Sequence, residues 1–204
     1  MKQKDLEMIL QKVPTYENPN PFIEQYMTPA SIVADIIFIA FGFGDIQDKK
    51  VVDLGCGTGI FSFGAKIANA KEVIGIDIDE QAIKIAQNYA KKNKEEEDIE
   101  FITKDVKDVD LKCDTVIMNP PFGAQKSNRW ADRGFIEKGF EISEVIYSLH
   151  LTKTLPFIEK LISSLYGVIN YKKKYFFPIK HTYFFHKKKA ENVDITLLRI
   201  LTKR

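Results

Sequence analysis

Cysteine is scarce in this chain of 204 residues: Cys56 and Cys113 stand alone, and neither belongs to a Cys-x-x-Cys pair. That excludes a disulfide framework and a zinc signature, and it suits a reducing, cytoplasmic setting. Long apolar runs are missing too. "IIFIAFG" at Ile36 to Gly42 is far too short to span a bilayer, and the charges in "MKQKDLEMIL" interrupt any secretory core. No membrane partner is expected. Charge of one sign is also lacking, since the net charge is only +2, so an argument for a polyanionic partner has to be local. Internal repeats and low-complexity segments are absent, and no metal site is expected. The length fits one core, and the expectation is a single domain over 1–204, with a loosely packed lead-in at 1–22 and a β-rich part at 167–201.

What is present is alternation. "VVDL", "VIGIDI", "IEFIT", "DTVIMN" and "EVIYSLHL" read as strands, separated for the most part by amphipathic segments such as "IFSFGAKIA", "EQAIKIAQNYAKK" and Phe135 to Ile142. Such a pattern predicts an α/β fold whose mostly parallel sheet is covered on both faces. Thr28 is placed to N-cap a helix with Pro29 at its first position, and Asp79 to cap the helix carrying Ala82, Ile83, Ala86, Tyr89 and Ala90 on one side. "TLPFIEKLISSLYG" reads as a further helix. The last third has strand-like runs without helices between them, which predicts a closing antiparallel hairpin.

"VVDLGCGTGIFS" leads from a buried strand into a helix through Asp53, Gly55, Gly57 and Gly59. Glycines allow a sharp turn and the close approach of a ligand. The spacing departs from G-x-G-x-x-G, and there is no G-K-[ST] for a nucleoside triphosphate. Asp77 closes the next strand about twenty residues on, where a carboxylate can take both hydroxyls of a ribose. Asp105, beside Val106, follows the third strand and can accept from an adenine amino group; a helix cap or turn is the plainer role for it. Three acidic strand ends line the sheet edge where open α/β folds bind ligands, and they suit a cofactor bearing an ammonium and a sulfonium. This arrangement resembles the class I S-adenosylmethionine-dependent methyltransferases, whose Rossmann-like sheet has seven strands, the last antiparallel.

"MNPPFG" then falls at the end of the fourth strand. The exocyclic nitrogen of adenine is a poor nucleophile because its lone pair is delocalised into the ring. Acceptors aimed at its two N–H bonds favour a tetrahedral nitrogen, and the Asn119 side-chain oxygen and the Pro120 carbonyl can be those acceptors. Pro120 and Pro121 stiffen the loop before substrate arrives, and Phe122 can stack on the target base, a contact worth roughly 1–3 kcal/mol. The tetrapeptide resembles the [DNS]-PP-[YFW] motif of amino methyltransferases, which act on adenine N6, cytosine N4 or glutamine amide nitrogen.

"EQYMTP", "DLGCGTG", "GIDID", "DTVIMNPPFG", "YSLH" and "FHKKK", in this order, resemble the archaeal and eukaryotic adenine-N6 methyltransferase family of small-subunit ribosomal RNA, the methyltransferase-like protein five family, from Glu24 to Leu201. The resemblance implies that Gln25, Tyr26 and Thr28 help to bind the methionine end of S-adenosylmethionine, that Asn119 to Phe122 form the catalytic loop, and that S-adenosylhomocysteine is released. It also implies a small zinc-ribbon activator protein that adds to a sheet edge. The loop at 124–134 departs in composition from the eukaryotic members, and Trp130 within it is a base-stacking or an anchoring residue. Tyr171 to Lys189 holds seven lysines, seven aromatics and no acid. Lysines such as Lys187, Lys188 and Lys189, next to His186, can reach RNA phosphates while aromatics stack bases; a core hairpin with solvated lysines is the alternative. Two other functions stay open: a protein glutamine N5-methyltransferase, and a cofactor-gated RNA-binding or ribosome assembly factor. A dehydrogenase would need nicotinamide chemistry for which no residues stand out.

Overall fold

Short runs of valine, isoleucine and phenylalanine become five parallel strands in the computed structural model, which describes residues 2–16, 19, 25–94, 98–122, 131–180 and 190–202. These are β1 (Lys50–Leu54), β2 (Glu72–Asp77), β3 (Ile99–Thr103), β4 (Thr115–Met118) and β5 (Val145–Leu151). Two longer strands, β6 (Val168–Lys180) and β7 (Ala190–Leu201), close the sheet in the order β3-β2-β1-β4-β5-β7-β6. The hairpin is antiparallel, and its second arm is the one that joins β5. The chain builds outward from β1 to β3 and then returns to the other side of β1 with β4. That reversal separates the loops following β1 and β4 and opens a crevice at their carboxyl ends.

Alternation along each strand feeds two cores. Val51, Val73 and Ile117 pack with helices α1 (Gln3–Leu10), α2 (Ala30–Gly42), α3 (Ile60–Ile67) and α4 (Glu80–Lys92). Val52, Leu54, Val116 and Met118 face the opposite layer, with α5 (Ala131–Ile142) and α6 (Leu155–Ser164). This two-sided covering is what lets the central strands be apolar at nearly every position. Among the described residues no helix is long and apolar enough to cross a membrane.

Three local expectations need correction or refinement. The lead-in is not loosely packed at its start: α1 buries Leu6 and Leu10 completely, and Val13 follows them into the same core. Leu6, Ile9, Leu10 and Val13 stand at i, i+3, i+4 and i+7, the spacing of an amphipathic helix, so the signal is in the sequence and the expectation of loose packing missed it. Thr28 does not cap α2; Pro29 is the N-cap, and the Thr28 hydroxyl is engaged elsewhere. Asp79 does cap α4, accepting from the Gln81 backbone N–H at 2.9 Å. Ala82, Ile83, Ala86 and Ala90 are buried beneath it, while half-buried Tyr89 sets its ring edge-on to Phe63 at 4.9 Å.

At the amino end of the sheet a buried ion pair ties the hairpin to the loop between α2 and β1. Arg199 on β7 donates to Asp45 through Nε at 2.7 Å and Nη2 at 3.0 Å. The Tyr147 hydroxyl on β5 donates to the same carboxylate, and the guanidinium lies 4.4 Å from the Phe43 ring centroid. Bidentate geometry and an aromatic face make up for much of the lost hydration.

Candidate active site

The loop after β1 is stitched to the end of β2. Gly55 N–H and Cys56 N–H both donate to the Ile76 carbonyl, at 2.8 and 3.0 Å, and Gly57 N–H donates to Asp77 Oδ2 at 2.8 Å. Gly57 adopts φ +54°, and Gly59, the N-cap of α3, φ +90°. A Cβ on Gly59 would lie 2.8 Å from the Phe101 ring, so side chains are excluded there twice over, by conformation and by space. The result is a tight turn at the head of a helix, with Gly55, Cys56 and Thr58 lining the crevice.

The three aspartates do not occupy equivalent places. Asp77 is the last residue of β2 and lines the cleft, with Gly57 N–H on one oxygen and Asp79 N–H on the other at 2.9 Å. Each oxygen keeps a further lone pair for a hydroxyl donor. Burial raises its pKa, partly opposed by those N–H groups. Asp105 also lines the cleft and caps a short 3-10 turn, Val106–Asp108, accepting from Lys107 N–H at 3.0 Å. That backbone bond, followed by the Lys107 ammonium, holds its carboxyl below the usual range. Asp105 is thus both a turn residue and a wall of the cleft, and Val106 lines the cleft beside it.

Asp53 sits one pleat deeper. It lies inside β1 rather than at its end, is 1% exposed, and accepts from Ser62 N–H at 3.0 Å and Ser62 Oγ at 2.7 Å. Its other oxygen is buried without a partner, and burial pushes its pKa up to about 7. The carboxylate therefore holds the start of α3 beneath the glycine loop and does not line the cleft.

Asn119, Pro120, Pro121 and Phe122 line the side of the cleft formed by the end of β4. Asn119 follows Met118 and falls on the same face of the strand as Ile117, which turns it toward the start of α2. There its Nδ2 donates to Thr28 Oγ1 at 3.0 Å, and the amide oxygen is left buried with no hydrogen-bond partner. An unpaired buried acceptor costs about 1–3 kcal/mol, a cost that a donor reaching it from the cleft would relieve. Phe122 is partly buried, edge-on to Phe177 at 6.0 Å.

Gln25, Tyr26 and Thr28 all border the same cleft. Gln25 Nε2 donates to Asp79 Oδ2 at 2.5 Å, which pins the segment before α2 to the head of α4. Tyr16, Ile78 and Phe135 are among the lining residues that sequence reasoning missed. Ile78 alone carried a signal: an apolar side chain between two aspartates in "DID", left 60% exposed.

His150 is buried next to Ser148 Oγ at 2.7 Å, and burial pushes its pKa down to about 3, so the ring is neutral at ordinary pH. The basic hairpin is sorted by the pleat. Tyr171, Tyr175 and Phe177 pack inward, with Tyr175 donating to Asp35 at 2.6 Å, while Phe176 is 75% exposed. Lys172 and Lys173 pair with Glu159 and Asp35 at 2.9 and 2.6 Å. Lys187, Lys188, Lys189, His186 and Trp130 lie outside the described residues.

Residues 38–142 match the family described as methyltransferase small domain. An uncharacterized protein of Methanocaldococcus jannaschii is 40% identical over 98% of this chain and 94% of its own. The rRNA N6-adenosine-methyltransferase METTL5 of Danio rerio is 35% identical, over 98% of both chains. The crystal structure of a candidate RNA methyltransferase of Pyrococcus horikoshii superposes with a TM-score of 0.91 at 35% identity, covering 100% of this chain and 99% of that one.

Proposed function

The chain belongs to the methyltransferase small domain family, and we propose that within it the protein transfers a methyl group from S-adenosylmethionine to the exocyclic N6 of an adenosine in structured RNA, that of the small ribosomal subunit. The carrying observation is the Asn119 amide: nitrogen held by Thr28, oxygen buried and unpartnered at the end of β4.

The residues present fit the cofactor. The glycine cradle admits close approach, Asp77 retains acceptor capacity for hydroxyls, and Asp105 stands where an amino group can donate. Their negative charge favours a cation in the cleft. When bound, the cofactor supplies a methyl group made electrophilic by its sulfonium and leaves as the thioether S-adenosylhomocysteine. Asn119 Oδ1 and the Pro120 carbonyl accept from the target amine, localising its lone pair as the new N–C bond forms and the C–S bond breaks. Once alkylated, the nitrogen is acidic enough to release a proton to water, so no strong base is needed. Phe122 offers a ring face for a base drawn out of its stack.

Relatives named for rRNA N6-adenosine methylation at full-length coverage favour RNA over a protein glutamine amide, which presents similar geometry to Asn119. A cytoplasmic setting and a small zinc-ribbon activator belong to the same reading. Among the described residues β3 and β6 are the sheet edges, either of which such a protein could extend. Incubation with labelled cofactor and cell extract, followed by ribonuclease or protease, tests the substrate class. Label lost with ribonuclease supports the reading, and label lost only with protease overturns it.

A further inference from the structure

Tyr16 stands outside every motif, yet it reaches the center of the cleft's backbone cradle. The chain leaves α1, buries Leu10 and Val13 in the core, and delivers the Tyr16 hydroxyl against Gly57, so close that a Cβ on Gly57 would collide with it. On that side Gly57 N–H is committed to Asp77, and Tyr16 lines the cleft together with Asp77. Tyr16 also lines a second cavity, over the head of α4. Its polar end lies over Gly57 of the glycine loop, at the wall of the cleft that Asp77 also lines.

Burial, followed by the charge of Asp77 beside it, pushes the Tyr16 phenol well above its ordinary range. It therefore keeps its proton and can donate. That hydroxyl abuts the Gly57 backbone; a cofactor lying in the cleft beside Asp77 would place oxygen or nitrogen groups within its reach. Gly57 then serves two purposes, a left-handed turn and room for a phenol, and the second is invisible in the motif itself.

We propose that Tyr16 is a further cofactor-binding residue, donating a hydrogen bond to the part of S-adenosylmethionine that lies in the cleft beside Asp77. The inference rests on the methyltransferase reading above and adds a residue to its site. One neutral hydrogen bond contributes about 0.5–1.5 kcal/mol, which corresponds to roughly a 3- to 10-fold change in affinity.

Calorimetric titration of the full chain with S-adenosylhomocysteine tests it, alongside ligand-free melting curves. Tyr16→Phe is expected to bind about 3- to 10-fold more weakly than the wild type with an unchanged ligand-free melting temperature. Tyr16→Ala is expected to lose more, because the wall of the cleft goes with the hydroxyl. Wild-type affinity in Tyr16→Phe overturns the assignment while leaving the methyltransferase reading intact. Failure of the wild-type chain to bind S-adenosylhomocysteine at all would instead overturn that reading, and the inference with it.

Discussion

Asn119 Nδ2 donates to Thr28 Oγ1 across 3.0 Å, joining the end of β4 to the residue before the N-cap of α2. With its nitrogen occupied, the amide presents an oxygen that has no partner of its own. Asn119→Ala removes that acceptor and should lower turnover by about two to three orders of magnitude, the usual cost of losing a preorganised transition-state hydrogen bond. S-adenosylhomocysteine affinity, measured by calorimetry, should stay near the wild-type value.

Thr28 acts through Asn119. Thr28→Val keeps the shape and removes the acceptor, so the amide is no longer held in one orientation. We expect kcat to fall by about tenfold, in line with one lost hydrogen bond, with little change in the KM for cofactor. Thr28→Ser restores the hydroxyl and should recover most of the rate. A rate indifferent to the hydroxyl would remove Thr28 from this role.

Asp53 carries a pH signature. Its folded pKa, raised to about 7 from 3.8, means the folded chain holds a proton that the unfolded chain has released. The contribution to stability is complete below pH about 4, declines as pH rises toward 7, and is gone above it, at a slope of up to about 1.4 kcal/mol per pH unit. Asp53→Asn keeps an acceptor for Ser62 and cannot ionise. Urea unfolding of both proteins between pH 4 and 8 should show the wild type losing stability relative to the variant through that window. Parallel curves would show that burial does not govern this carboxyl.

The legibility of the fold followed from periodicity. Runs such as "VVDL" and "DTVIMN" disclosed the parallel strands because both faces of the sheet are covered, and the helix-free last third disclosed the hairpin. Motif residues were legible where chemistry demands a residue type, as at Gly57, Asp77 and Asn119. Depth was not: Asp53 and Asp77 look alike in sequence, yet one lies inside a strand under α3 and the other at a strand's end. Tyr16 and Phe135 were hidden for a different reason. Each comes from a segment remote in sequence, and only the tertiary packing of α1 and α5 brings them to the glycine loop. The hairpin lysines illustrate the same limit, since only the pleat and the neighbouring acids Asp35 and Glu159 decide which are paired.

Away from the cleft, Asp45→Ala would leave Arg199, itself 7% exposed, as an uncompensated buried cation and would deprive the Tyr147 hydroxyl of its acceptor. Breaking one partner of such a pair costs about 3–5 kcal/mol. Chemical denaturation should register a loss of that size, and a change below about 1 kcal/mol would place the pair among those of no consequence for stability.

The account turns on methylation of an adenine amine presented to Asn119. Mass spectrometry of nucleosides from small-subunit RNA, treated with purified protein and S-adenosylmethionine, tests it most directly. The account predicts N6-methyladenosine with the wild type and almost none with Asn119→Ala. Equal yields from the two proteins, or no methylated nucleoside alongside methylated glutamine in protein substrates, would contradict it.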